Sequence, residues 1–111
     1  MLNSVNIIGR LTADPTLRET PDGTKVLSFT LAVDRDYTDK DGKRPADFVD
    51  CVAWRGTAEF IAKNFAKSDY IALSGPLQTR NYEDKDGNRR KSSEVRVDQA
   101  NFCGYRRKET A

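Results

Sequence analysis

Residues 25–34, KVLSFTLAVD, decide the fold, because side chains of two kinds alternate along the whole segment. Positions 27, 29, 31 and 33 are leucine, phenylalanine, leucine and valine, whereas positions 26, 28, 30 and 32 are valine, serine, threonine and alanine. A period of two is typical of a β-strand that turns one face to a core. The segment therefore predicts a half-buried strand.

Further strands are predicted on both sides of this segment. Residues 48–55 alternate again, and their two faces are Phe48, Asp50, Val52 and Trp54 against Val49, Cys51, Ala53 and Arg55. Residues 5–11 form a short β-rich run, and residues 70–82 and 94–102 supply two more extended segments. Turn-forming residues separate these runs, so we expect about five strands.

One helix is predicted between the third and fourth strands. In residues 57–67, TAEFIAKNFAK, the apolar side chains recur at helical spacing, at Ala58, Ile61, Ala62 and Phe65. Thr57 is predicted to cap the first turn with its hydroxyl.

The length of 111 residues fits a single domain. We place it at residues 1–104, followed by a short basic extension, 105–111, that has no acidic tail. The sequence is lean in apolar residues, at 37%. Because a short and polar chain buries little core, self-association is expected.

Several classes of function are excluded by composition. Histidine is absent, which removes the usual general base, and the two cysteines are far apart, so we expect neither an enzyme nor a metal or other cofactor. The amino-terminal sequence lacks the features of a signal peptide, and no apolar run is long enough to cross a membrane. The chain is predicted to be cytoplasmic with reduced thiols.

Two similar segments, YTDKDGKR at residues 37–44 and YEDKDGNR at residues 82–89, share an Asp-Gly pair. Asp-Gly is a strong turn signal between strands, so both are interpreted as polar hairpin tips. A calcium loop is rejected, because the glycine falls at the fourth position where an EF-hand loop needs it at the sixth.

Aromatic residues are interleaved with basic ones around these tips and on the 48–55 strand. Tyr37 lies near Arg35 and Lys40, and Tyr82 follows Arg80. Unpaired bases stack on aromatic rings, and phosphates need cations along a groove. The net charge of +2 is almost neutral, so this local pattern alone indicates a nucleic-acid partner.

Four stretches of the chain resemble the bacterial and phage single-stranded-DNA-binding proteins. They are the opening 33 residues, with Asn3, Gly9-Arg10-Leu11, Asp14-Pro15 and Arg18, and then DFVDCVAWRGTAEFIAKNFAK, SGPLQTRNYEDKDG and SSEVRVDQANF. The similarity covers about residues 1–103 in order.

This resemblance implies an all-β oligonucleotide-binding (OB) fold, a five-stranded Greek-key barrel with a helix between strands three and four. It also implies a homotetramer that binds single-stranded DNA in replication, recombination or repair, and an association with the nucleoid. The stacking rings would be Tyr37, Phe48, Trp54 and Tyr82. The phosphate-binding cations would be Arg18, Lys40, Lys67 and Arg80, with Arg10, Lys25, Arg35 and Arg55 as further candidates.

The chain departs from the family pattern at three places. Lys67-Ser68-Asp69 follows the helix where the family has Lys-Gly, so a different helix terminus is expected. Lys91 replaces a tyrosine, which exchanges a ring for a cation. Longer members end in an acidic tip that recruits replication and repair proteins. This sequence, whether a piece of a longer protein or a naturally short member, ends without one, so we do not expect that recruitment.

Two other functions are weighed against DNA binding. A protein-interaction subunit of the primosomal type would keep the barrel and bind DNA weakly or not at all, since a fold does not fix a function. A nuclease would need a metal–carboxylate cluster or a positioned base.

Overall fold

The computed structural model describes residues 1–103, so the predicted basic extension at 105–111 lies outside the described residues. Within the described residues, eight strands and one helix follow one another: β1 (Val5–Leu11), β2 (Arg18–Glu19), β3 (Lys25–Asp34), β4 (Ala46–Trp54), α1 (Arg55–Asn64), β5 (Tyr70–Gly75), β6 (Leu77–Glu83), β7 (Arg89–Arg96) and β8 (Gln99–Asn101).

The strands form one sheet in the order β6-β7-β4-β3-β1-β5-β8, and β2 adds to β3. All pairs are antiparallel except β4 with β7, which is parallel. Two backbone hydrogen bonds near Gly75 close the curved sheet, from Asp98 N–H to the Ser74 oxygen (2.9 Å) and from Arg96 N–H to the Pro76 oxygen (3.0 Å). The described chain is therefore a barrel with a hairpin, β6–β7, at one end.

The core lies where the alternation of β3 and β4 predicts it. Leu27 and Leu31 of β3 are fully buried, and Cys51 and Ala53 of β4 face them. Helix α1 adds Ile61, so the helix covers one end of the barrel and its apolar side chains complete the core.

The strand count exceeds the prediction, for local reasons. Residues 70–82 form two strands because Pro76, which has no N–H to donate, interrupts them. Residues 94–102 are divided between β7 and β8, and the two-residue strand β2 is too short to give a periodic signal.

The predicted helix bounds are wrong by two or three residues. The helix begins at Arg55, and its N-cap is Trp54, which makes no side-chain capping bond, so the predicted cap at Thr57 is wrong. Arg55 has φ +56°, which turns the chain directly from β4 into the helix. The helix ends at Asn64, because Phe65 is already extended.

The segment after the helix keeps a left-handed residue although it lacks glycine. Ser68 has φ +75°, and its N–H donates to the Leu11 oxygen at 2.8 Å. Ser68 thus adopts a conformation that favours glycine, while the helix itself ends at the extended Phe65, so the expected difference in the helix cap stays a prediction.

Candidate nucleic-acid interface

The outer face of β4 carries two large aromatic side chains. Phe48 is 70% exposed and Trp54 is 41% exposed, whereas Val52, which lies beside Trp54 on that face, is buried. The two rings are six residues apart on one strand, or about 20 Å. The predicted face is therefore present, with a ring towards each end.

Trp54 lies in a groove of about 500 Å³ on this outer face. Arg18 reaches the groove because β2 places it opposite Val26, and Val26 is opposite Trp54 on β4. Arg80 of β6 lines the other side of the groove. Two guanidinium groups and one indole ring thus share a single concave surface.

Both arginines of the groove are held by neutral groups. Arg18 Nη2 donates to Ser28 Oγ at 3.2 Å, and Arg80 Nε donates to Ser92 Oγ at 3.4 Å. Within residues 1–103 neither arginine forms an ion pair, although the carboxylates of Glu19 and Glu94 also line the groove. The sequence did not indicate that Ser28 and Glu94 also line the groove.

Tyr82 extends this surface along the β6–β7 hairpin. It is 48% exposed and lies two residues from Arg80, so the two side chains share one face of β6. Lys91 pairs with Asn81, which points to the opposite face. Lys91 is therefore on the back of the hairpin, away from Arg80 and Tyr82.

Tyr37 belongs to a different part of the molecule, the loop between β3 and β4. It is 54% exposed, and its hydroxyl accepts a hydrogen bond of 3.0 Å from Arg35 Nη1. The Asp47 carboxylate accepts hydrogen bonds from Nε and Nη2 of Arg35. Because Asp47 directly precedes Phe48 on β4, its side chain is on the opposite face of the strand from the Phe48 ring. We name Arg35, Tyr37 and Asp47 the Arg35 cluster; the structure does not bring it together with the Trp54 groove.

The remaining predicted cations fall into two groups. Arg10 and Lys25 form ion pairs with Asp34 and Glu19, and the Asp34 carboxylate raises the pKa of Arg10. Among the described residues, Lys40, Arg55 and Lys67 form no ion pair, but they are spread over the surface: Lys40 lies at a hairpin tip, Arg55 follows Trp54, and Lys67 follows the helix.

The two similar segments form the same turn, as predicted. The Asp39 and Asp84 side chains each accept two backbone N–H bonds of 2.8–3.0 Å, and a glycine with φ near +77° completes each turn. The pKa of Asp84 is lowered, first by the hydrogen bond from Arg90 and then by the backbone N–H of Asn88. Residues 1–103 contain no group of three or more acidic or cysteine side chains that could hold a metal ion.

No helix in residues 1–103 has the length and apolar character needed to span a membrane.

The barrel, its helix position and the ring-and-arginine groove together define a protein of the oligonucleotide-binding class.

Comparison with known proteins identifies the family. The model of the single-strand binding protein family matches residues 2–103. The chain therefore belongs to the single-strand binding protein family, whose fold is the OB-fold, and both the predicted family and the predicted fold are confirmed.

Characterised relatives are similar over the same region. Single-stranded DNA-binding protein A of Bacillus subtilis (strain 168) is 48% identical over 102 residues, which make up 92% of this chain and 59% of that protein. Single-stranded DNA-binding protein 2 of Listeria monocytogenes is also 48% identical, over 92% of this chain and 64% of its own. The single-stranded DNA-binding protein of Caldanaerobacter subterraneus is 47% identical, and 68% of it is covered. The chain thus spans about three fifths of the length of the first two relatives.

Proposed function

We propose that this chain binds single-stranded DNA in a sequence-tolerant way and carries out no chemistry on it. The observation that carries the proposal is the exposed Trp54 in a groove between Arg18 and Arg80, neither of which forms an ion pair among the described residues. Family membership and the names of the relatives support the same function.

The groove has the chemistry that unpaired nucleotides require. Every base has a π-face, and stacking on an aromatic ring contributes about 1–3 kcal/mol per base with little regard to its identity. The two arginines supply cations for the flanking phosphates, and the counterions that the DNA releases make binding weaken with salt. Tyr82 and Phe48 offer further rings on either side of Trp54, and we propose that the strand follows them.

The biological setting is part of the same proposal. We propose that the chain acts in replication, recombination or repair as a homotetramer, in the cytoplasm and associated with the nucleoid. The alternative, a protein-interaction subunit of the primosomal type, has no support from the matched family or from the relatives named above, all of which are named for binding single strands.

A titration with a fluorescein-labelled dT oligonucleotide tests the proposal. The wild-type protein, Arg80→Ala and Lys63→Ala are compared by anisotropy at several salt concentrations. Lys63 lies on helix α1 and does not line the groove, so its substitution is the control for loss of one positive charge. We expect the slope of log K against log salt to fall by about 0.7 for Arg80→Ala, the value for one phosphate contact on a single strand, and to stay unchanged for Lys63→Ala.

The result that contradicts the proposal is equal affinity for the oligonucleotide and for a duplex of the same sequence. If the salt slope fell equally in Arg80→Ala and Lys63→Ala, that result would instead contradict the placement of the DNA in the Trp54 groove.

A further inference from the structure

The Arg35 cluster is the most completely hydrogen-bonded group of charges on the described surface. Arg35 Nη2 donates to Asp47 Oδ1 at 2.7 Å, and Arg35 Nε donates to Asp47 Oδ2 at 3.0 Å, so the carboxylate binds the guanidinium with both oxygens. The third nitrogen of the guanidinium, Nη1, donates to the Tyr37 hydroxyl at 3.0 Å. A carboxylate, a cation and an exposed ring are thereby linked in series.

The backbone of the β3–β4 hairpin holds this series in place. Asp47 pairs with Val33 at the start of β4, and the N–H of Arg35 donates to the Pro45 oxygen at 2.8 Å. Asp47 is therefore fixed on a strand, whereas Tyr37 lies in a loop. A bidentate arginine–carboxylate pair restricts the guanidinium plane more than a single hydrogen bond does.

Asp47 also neutralises the cation. Hydrogen bonding to Asp47, and then to Tyr37, raises the pKa of Arg35, and the same pairing lowers the pKa of Asp47. Both groups thus stay ionised together. Arg35 differs in this respect from Arg18 and Arg80, which are held by serine hydroxyls.

We infer that Asp47 is a positioning residue for DNA binding: acting through Arg35, it holds the Tyr37 ring in the orientation in which a base stacks on it. This inference rests on the proposed function. It also implies that Arg35 adds little to the salt dependence of binding, because its charge is already compensated. Asp47 therefore strengthens stacking and weakens phosphate attraction at the same site.

These two effects separate when the salt concentration is varied. In Asp47→Asn, only one oxygen can still accept from Arg35, so the guanidinium loses its bidentate partner and holds the Tyr37 ring less firmly. Stacking on Tyr37 is then weaker at every salt concentration. The same substitution releases the charge of Arg35, which strengthens phosphate binding mainly at low salt. A loss of structure alone would weaken binding without making it more dependent on salt.

The test measures the affinity of the full chain for a dT oligonucleotide at about 0.05 M and about 0.3 M salt. We expect Asp47→Asn to bind about 2- to 10-fold more weakly than wild type at the higher salt, the effect of one lost hydrogen bond. At the lower salt its affinity approaches or exceeds that of wild type, and its salt slope is steeper by about 0.7. Asp41→Asn is the control, because it removes one negative charge from the loop that adjoins Asp47, and Asp41 has no side-chain hydrogen bond to Arg35 or Tyr37.

Tyr37→Phe provides a second and independent measurement. It keeps the ring but removes the hydroxyl that Arg35 holds, so it should weaken binding at the higher salt as much as Asp47→Asn does, with no steeper slope. In the double variant the two losses should not add, because they break one series of contacts. The side chains of Arg35 and Asp47 are 49% and 51% exposed, so folding should be retained, which a thermal melt checks.

The inference is overturned if Asp47→Asn matches wild type at the higher salt, if its slope equals that of Asp41→Asn, or if the losses in the double variant add. If Asp47→Asn does not fold, the inference is overturned when Tyr37→Phe binds the oligonucleotide as tightly as the wild-type protein does at the higher salt. If the wild-type chain itself does not bind the oligonucleotide, the proposed function fails first.

Discussion

Substitution of Gly75 by alanine should open the barrel, because Gly75 lies where the two ends of the sheet meet. A methyl group there would overlap the backbone oxygen of Arg96 and lie 2.9 Å from its carbonyl carbon. Carbon atoms pack at about 3.5–4.0 Å, so the strands must separate. Both groups are backbone, and neither can rotate away.

The expected loss of stability follows from the contacts at this point. Overpacking of a tight contact costs about 1–3 kcal/mol. Two hydrogen bonds join the strands there, Asp98 N–H to the Ser74 oxygen and Arg96 N–H to the Pro76 oxygen, and each contributes about 0.5–1.5 kcal/mol. Gly75→Ala should therefore lower the free energy of unfolding by about 2–6 kcal/mol, a large part of the 5–15 kcal/mol of a typical domain.

Thermal unfolding followed by circular dichroism measures this effect, at one protein concentration because self-association shifts the midpoint. We expect Gly75→Ala to unfold at least about 10 °C below wild type. Gly56→Ala is the matched control: no atom lies within 4 Å of the added methyl group, and alanine favours the helix, so its midpoint should equal or exceed that of wild type. A midpoint for Gly75→Ala within about 2 °C of wild type would refute the close approach at the closure.

Three other predictions concern single residues. Ser68→Gly should raise the unfolding midpoint by a few degrees, because relief of about 1–2 kcal/mol of left-handed strain exceeds the greater freedom of glycine in the unfolded chain. Burial, with the nearby acidic charges, raises the pKa of the Cys51 thiol to about 12, so iodoacetamide at pH 8 should modify Cys103 and spare Cys51. Because the unfolded thiol ionises near its ordinary pKa, stability should fall as the pH rises from about 9 towards 12. Asp84→Ala should speed amide hydrogen exchange at Asp86 and Asn88, measured by NMR, and leave the Asp39 turn protected.

The parts of the fold that repeat with a period could be predicted from the sequence. Alternation in β3 and β4 gave the buried face, with Leu27 and Leu31, and the exposed face, with Phe48 and Trp54. The Asp-Gly turns were predicted equally well, because their hydrogen bonds join residues at most four positions apart. Such features depend on local sequence alone.

The element ends could not be predicted, because they depend on distant contacts. Ser68 takes a left-handed conformation that its own side chain disfavours, since its N–H donates to the oxygen of Leu11 at the end of the neighbouring strand β1. The helix begins two residues early because Arg55 turns the chain at the end of β4, where pairing of Trp54 with Val26 stops.

The charges of the site were the least predictable part. Arg18, Arg35 and Arg80 all looked like phosphate-binding residues, yet Arg35 alone is paired with a carboxylate, Asp47. That pairing depends on the register of β3 with β4, which brings residues 12 positions apart into contact. The register of two strands cannot be predicted from the spacing of residues in the sequence.

The fluorescence of Trp54 tests the central claim most directly, because it is the single tryptophan of the chain and lies in the proposed groove. Addition of a dT oligonucleotide should quench the emission to saturation, added salt should restore it, and a duplex of the same sequence should have little effect. Saturated binding by anisotropy with unchanged Trp54 emission, or equal quenching by duplex, would contradict a single-strand site at this groove.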